Sequence, residues 1–194
     1  MIRRLVSALL LACAAMSATA APPSRVRIET SMGAIVIQLE TRRAPVTAAN
    51  FLRYVDAKRL DGTTFYRAAR TDGAPKTGLV QGGIDHDMRR AFLPIRHEPT
   101  NVTDIHHVDG TVAMARNDPG TAMGDFFIVI GDGRSYLDAA PHYPGYAAFG
   151  HVVSGMDVAR RILAMPTFPG GWSQETIGQS IRQPPKILTA RRIP

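Results

Sequence analysis

Asp109-Gly-Thr-Val-Ala-Met-Ala-Arg-Asn-Asp-Pro-Gly-Thr-Ala-Met-Gly-Asp-Phe-Phe-Ile-Val-Ile130 is the stretch from which the fold can be read. Its two apolar runs, Thr111–Ala115 and Phe126–Ile130, have the length of buried strands. Between them Asn117, Asp118, Pro119, Gly120 and Gly124 supply turn formers and permissive backbone. The stretch reads as strand, polar loop, strand. Side chains alternate along a strand, so Phe126 and Phe127 fall on opposite faces. One ring is expected in the core and the other in a surface pocket. Taken alone, the stretch supports nothing more than two core phenylalanines.

The sequence on either side repeats the β pattern. Arg25–Thr30 alternates Val26 and Ile28 with charged residues, Ser31-Met32-Gly33 turns the chain, and Ile35, Ile37 and Leu39 alternate again. This predicts a β-hairpin. Pro45 suits the first turn of a helix, and Ala48, Phe51, Leu52 and Val55 follow at i, i+3, i+4, i+7. Further short strands are predicted at Thr64–Ala68, Leu79–Gly82, around Val152–Val153 and at Lys186–Arg192. A second helix fits Met156–Ala164, with Val158, Arg161, Ile162 and Met165 on a mixed face and Pro166 as its stop. The segment from Ala68 to Val80 reads as a long loop. Many short strands and two helices predict an all-β sandwich or barrel.

The first twenty residues read as a signal peptide and not as part of the fold. Arg3 and Arg4 form a basic n-region, Leu5–Ala12 an apolar core, and Ala18-Thr19-Ala20 a cleavage site. The apolar run is too short for a membrane-spanning helix. Leu10-Leu11-Ala12-Cys13 loosely resembles a lipoprotein signal, but Cys13 comes early and Leu11 fits poorly, so ordinary secretion is expected. Cleavage leaves a single domain over residues 21–194, about 174 residues, which is enough for one core. Cys13 is the only cysteine, so the mature chain has no disulfide.

The formal charge is +7 and comes mostly from scattered arginines, in pairs such as Arg42-Arg43 and Arg191-Arg192. A nucleic-acid surface needs a concentrated basic stripe with stacking aromatics, so no nucleic-acid partner is expected. The six histidines include no i, i+4 pair of the helical zinc type, and His106 and His107 would point apart on a strand. His86, between Asp85 and Asp87, reads as an exposed turn residue. Gly131-Asp132-Gly133-Arg134 lacks the lysine and spacing of a P-loop, and no serine stands in a nucleophile elbow. No metal and no cofactor is expected.

The order and spacing of several short segments settle the matter differently. Phe65-Tyr66-Arg67, Gln81-Gly82-Gly83, the central stretch, Tyr136-Leu137-Asp138 and Gly145-Tyr-Ala-Ala-Phe-Gly150 follow one another along the chain. Together they resemble the cyclophilins, the peptidyl-prolyl cis-trans isomerases, and most of all the envelope cyclophilins of Gram-negative bacteria. The resemblance runs from about Arg27 to Ile193. It implies a closed eight-stranded antiparallel barrel capped by two helices. It further implies a periplasmic monomer, not inserted in the membrane, that acts on proline-containing polypeptide segments. A catalytically weak peptide-binding chaperone of the same fold stays open as the alternative.

The chemistry asks for little. Amide resonance sets a rotation barrier of about 18–20 kcal/mol, and twisting an X–Pro bond returns a lone pair to the prolyl nitrogen. A fixed cation then stabilises the twisted state more than the planar one. By the resemblance, Arg67 is the catalytic arginine and Gln81 contacts substrate and orients it. Phe127 is the floor of the proline pocket, with Leu79 in the place of a pocket methionine. Ala115 and Arg116 match the edge that pairs with the peptide, and Leu137 and Tyr146 the far wall.

Four departures from the family pattern stand out. Gly78 occupies the usual place of a pocket phenylalanine, which predicts a missing apolar wall. Tyr136 replaces the tryptophan of cyclosporin-sensitive members, which implies weak binding of that drug. Arg116 replaces asparagine and Asp125 replaces glutamine at the substrate edge. The last two are opposite in charge, which suggests an ion pair across the loop, with two independent changes as the alternative.

Overall fold

The computed structural model describes residues 24–171 and 173–194. The first twenty residues, expected to be a signal peptide, and Cys13 among them lie outside the described residues. The first hairpin is β1 (Arg25–Thr30) and β2 (Gly33–Leu39), in register from Arg25 opposite Gln38 to Thr30 opposite Gly33. Its alternating pattern places Val26, Ile28, Ile35, Ile37 and Leu39 in the core. The helix α1 (Pro45–Asp56) follows and buries Ala48, Phe51, Leu52, Tyr54 and Val55. Its first turn has no local side-chain cap. Instead the buried Glu98 carboxylate accepts the amides of Val46 (3.2 Å) and Thr47 (2.8 Å). A negative charge there also complements the positive end of the helix.

The remaining strands are β3 (Thr64–Thr71), β4 (Ala74–Gly83), β5 (Thr111–Met114), β6 (Phe126–Ile130), β7 (Ala147–Ser154), β8 (Thr167–Phe168), β9 (Ser180–Ile181) and β10 (Ile187–Ile193). All pair antiparallel in one sheet of order β10-β1-β2-β7-β5-β6-β4-β3-β9-β8. The strand count is therefore ten and not eight. The two added strands, β8 and β9, have two residues each, too short to leave a hydrophobic period in the sequence. The starts of β3 and β10 also meet, through the Thr64–Lys186 bridge and through the Phe65 amide on the Pro185 carbonyl (3.0 Å).

The helices also exceed the two expected. α2 (Thr100–Thr103) and α3 (Arg134–Leu137) are single turns, and α4 (Met156–Leu163) is the second long helix. On α4 the buried stripe is Val158, Ala159, Ile162 and Leu163, while Arg161 lies outside it and pairs with Asp157 (2.7 Å). One cluster of buried apolar side chains runs through the molecule. At its centre the Phe51 ring of α1 meets Phe126 at 5.3 Å and Phe149 at 5.1 Å, and Phe65 meets Phe126 at 5.7 Å.

The predicted loop from Ala68 to Val80 is mostly strand. β3 and β4 stay paired through Ala68–Val80, Ala69–Leu79 and Arg70–Gly78, and after a bulge Thr71 still faces Ala74. The hairpin turns at Asp72-Gly73. Its arms carry polar and small residues, so backbone pairing forms it without the apolar alternation that marks a strand in sequence. Gly78 has φ of +135°, and a Cβ there would stand 2.0 Å from the Ala69 carbonyl oxygen. The bulge requires glycine at that position.

Candidate active site

Three neighbouring strands set the site. Arg67 on β3 lies opposite Gln81 on β4, and Gln81 lies opposite Phe127 on β6. The three residues form a row across the sheet, so their side chains emerge on one face. Strict alternation would have put Arg67 on the same face as Phe65, which is wholly buried. A register shift between Phe65 and Arg67 makes Tyr66 an extra residue. Such a bulge re-aims side chains, and here both Tyr66 and Arg67 reach Gln81.

Arg67 is held on two sides. Its Nη1 donates to Gln81 Oε1 at 2.7 Å, and its Nε donates to Gln179 Oε1 at 2.7 Å. Among the described residues its Nη2 donates to no protein acceptor. Burial pulls its pKa down from the ordinary value, yet an arginine stays cationic at any physiological pH. Gln81 Nε2 in turn donates to the Tyr66 hydroxyl at 2.7 Å. Beside this polar row lies an apolar hollow. Phe127 is 2 % exposed and stands edge-on to Tyr146, with ring centres 5.4 Å apart. Leu79 and Leu137 complete it, and the whole groove encloses about 790 Å³.

The outer edge is backbone and arginine. The Ala115 amide bonds the Asp125 carbonyl at 2.9 Å. Arg116 donates Nε and Nη2 to the Gly145 carbonyl and Nη1 to that of Asn117, and its guanidinium lies 4.8 Å over the Tyr146 ring. Tyr136 stands at the far end, on α3, half exposed. A fixed cation beside an apolar hollow, with backbone groups along one rim, is suited to holding a short extended peptide by a small apolar side chain.

A family model described as cyclophilin type peptidyl-prolyl cis-trans isomerase/CLD matches residues 25–189. The chain belongs to this cyclophilin family. It is similar to a peptidyl-prolyl cis-trans isomerase of Acinetobacter baylyi, 34% identical over 179 residues, covering 91% of this chain and 89% of the relative. It is also similar to peptidyl-prolyl cis-trans isomerase A of Dickeya dadantii, 31% identical over 175 residues, covering 88% and 84%. In fold it is similar to a crystal structure of a cyclophilin type isomerase from Cryptosporidium parvum. That match has a TM-score of 0.65 and 18% identity, and covers 89% of this chain and 98% of that one.

Against the family pattern, two expectations need correction. Arg116 and Asp125 are not an ion pair. The Arg116 donors are spent on carbonyls and on Tyr146, while the Asp125 carboxylate is 8 % exposed and faces away, accepting the Asp85 amide at 2.8 Å. Nor do His106 and His107 point apart, because they lie on a loop and not on a strand. Their Nδ1 atoms both lie 2.6 Å from oxygens of one carboxylate, that of Asp138. His107 is buried beneath the hollow, stacked on Phe127 at 6.1 Å, and burial pulls its pKa below the ordinary histidine value.

The sequence reading missed four residues of this candidate site. Tyr66 is placed by a bulge. Gln179 stands 112 residues from Arg67 in a polar segment without periodicity. Ser173 and Thr176, the N-cap and the last residue of the short 3-10 helix Gln174–Thr176, line the same groove. Nothing local in the sequence distinguishes the last two from surface loop.

Proposed function

We propose that this cyclophilin accelerates cis-trans rotation about X–Pro bonds in unfolded or extended segments of envelope proteins. The observation that carries the reading is the cross-strand row Arg67–Gln81–Phe127, which sets a fixed cation beside an apolar hollow. The proline ring enters the hollow over Phe127, between Leu79, Leu137 and Tyr146. The peptide lies along Ala115 and Arg116, with Tyr136 beyond and Asp125 behind the rim. As the bond twists, conjugation is lost and the prolyl nitrogen gains a lone pair. Arg67 meets that pair with Nη2 while Gln81 and Gln179 hold its other nitrogens. The interaction strengthens as the bond leaves planarity, so it lowers the barrier and not the ground state.

The rest of the setting follows the same reading. The chain works in the periplasm as a single domain from residue 21 after removal of its signal peptide, and as a monomer. No described helix is long and apolar enough to cross a membrane. The longer strands roll into the family's eight-stranded barrel, closing where β3 meets β10. The test is relaxation of a proline tetrapeptide from cis to trans with catalytic amounts of protein. Uncatalysed exchange takes tens to hundreds of seconds, so acceleration is plain. Binding of proline peptides without acceleration would favour the peptide-binding chaperone instead.

A further inference from the structure

We propose that Asp125 and Tyr66 are positioning residues that decide which end of the Gln81 amide faces Arg67. The inference rests on the reading of Arg67 as the group that meets the prolyl nitrogen. The two ends of a glutamine amide have nearly the same shape, so shape alone does not orient Gln81. Arg67 can only donate, and its Nη1 needs Oε1 on its side, as found at 2.7 Å. Nε2 must then find an acceptor on the other side, and finds the Tyr66 hydroxyl at 2.7 Å.

A phenol hydroxyl can donate or accept, so Tyr66 by itself would serve either orientation of Gln81. Asp125 removes that freedom. An ionised carboxylate only accepts. It takes the Asp85 amide at 2.8 Å, and the neighbouring Tyr66 hydroxyl favours its charged form. On this proposal Tyr66 gives its proton to Asp125 and turns a lone pair to Gln81. The donors run in one direction, from Arg67 to Gln81 to Tyr66 to Asp125. The three residues past Arg67 are largely buried, with Gln81, Tyr66 and Asp125 only 7, 6 and 8 % exposed. Reversing a link in such surroundings leaves polar atoms unmatched. The backbone is shaped to admit the carboxylate: Gly83 has φ of +132°, and a Cβ there would lie 2.8 Å from Asp125 Oδ1.

Acid should reverse the relay. Protonated Asp125 offers an O–H to Tyr66, the Tyr66 proton swings to Gln81, and the amide turns Nε2 towards Arg67, donor against donor. The ionisable groups around Asp125 are Tyr54 of α1, Tyr66 of β3, and Asp85 and His86 after β4. Burial pushes the Asp125 carboxyl above its ordinary value, with the Asp85 amide, His86 and Tyr66 opposing. Reversal is thus expected at a pH above the usual aspartate range.

The test measures kcat/KM against pH for the wild type, Asp125→Asn, Tyr66→Phe, the double variant and Arg67→Ala, with folding followed by circular dichroism. Asp125→Asn keeps the shape but turns an N–H₂ on Tyr66. It should lower kcat/KM at neutral pH about tenfold, mostly in kcat, the scale of one buried unmatched polar group. Adding Tyr66→Phe removes the hydroxyl that transmits the error, and should return most of that loss. Tyr66→Phe alone should lack the acid limb of the wild type. Independent effects of the two substitutions, or a folded Tyr66→Phe protein that keeps the wild-type acid limb, would overturn the relay. The Tyr66→Phe readout decides the matter even where Asp125→Asn does not fold. An active Arg67→Ala protein would instead overturn the reading of the site itself.

Discussion

Replacing Phe126 and Phe127 one at a time by alanine separates the two faces of β6. Phe126 is fully enclosed by Phe51 and Phe65, whereas Phe127 faces Tyr146, His107 and the groove. Truncating a core aromatic costs roughly 3–5 kcal/mol. Phe126→Ala should fall at the upper end, because its void is closed on every side. Phe127→Ala should fall at the lower end, because its void opens to the groove and can fill with water. In a domain of this size each kcal/mol shifts Tm by about 2–4 °C. The expected drops are about 10–20 °C for Phe126→Ala and about 6–12 °C for Phe127→Ala.

Turnover should rank the other way. The three ring methylenes of proline gain about 0.8 kcal/mol each on leaving water, or about 2.4 kcal/mol over the whole pocket. Loss of the floor then lowers kcat/KM by up to about fifty-fold, at 1.36 kcal/mol per tenfold. Phe126→Ala, assayed well below its melting point, should stay within about threefold of wild type, since its ring does not border the groove. The measurements are thermal melting and tetrapeptide isomerisation in the cold. An unchanged Tm for Phe127→Ala would mean that the ring is exposed. Equal loss of turnover in both folded variants would mean that the faces of β6 are not separate.

Three further outcomes are expected. Arg67→Ala should abolish most turnover with little change in Tm, and Arg67→Lys should rescue poorly, because one ammonium cannot replace a planar fork that bonds Gln81, Gln179 and substrate together; wild-type rates in either would reject the assignment. Gly78→Ala should destabilise the β3–β4 hairpin by roughly 1–3 kcal/mol, since alanine must adopt a strained φ and avoid the Ala69 carbonyl; an unchanged melting curve would contradict this. At His106 the bond to Asp138 raises the imidazole pKa above its ordinary value. That stabilisation is complete below the unfolded pKa of about 6.5 and fades as pH rises through the folded value. Because the side chain is half exposed, solvent screening limits it to under about 1 kcal/mol. His106→Ala should therefore lower Tm in mild acid and much less in base, and equal losses at both would count against it.

What the sequence makes legible is whatever one segment decides by itself. The β1–β2 hairpin, the buried face of α1 and the opposite placement of Phe126 and Phe127 all follow from local periodicity. What it conceals depends on distant partners or on backbone irregularity. Glu98 caps a helix some fifty positions before it, as its bonds to Val46 and Thr47 show, and no capping residue near Pro45 announces this. The arms of the β3–β4 hairpin pair through backbone atoms, and polar residues hide that. The bulge at Tyr66 breaks the alternation on which any assignment of faces relies, and without it Arg67 would point into the core. The motif order points to Arg67, Gln81 and Phe127, but only the register puts them in one row.

The departures from the family pattern do not compensate one another by charge. Arg116 serves the rim: its fork fastens the Gly145 carbonyl and its plane covers Tyr146, which fixes the ring standing over Phe127. By the proposed relay, Asp125 serves the row from behind, through a tyrosine placed by the β3 bulge. Each charge is satisfied by groups of its own side, so reverting Arg116 to asparagine should not release Asp125 towards Arg67. Gly78 belongs to a third arrangement, the hairpin bulge, which admits no side chain. The hollow is therefore expected to be open on the hairpin side, while Tyr146, held by Arg116, stands on the opposite one. A proline ring would be gripped on Phe127 and Tyr146 and left open towards Gly78. On this geometry, bulk added to the ring on the open side should be tolerated. Replacing Arg116 by asparagine should instead loosen Tyr146 and raise KM more than it lowers kcat. A purely kcat effect at Arg116 would refute this division between rim and row.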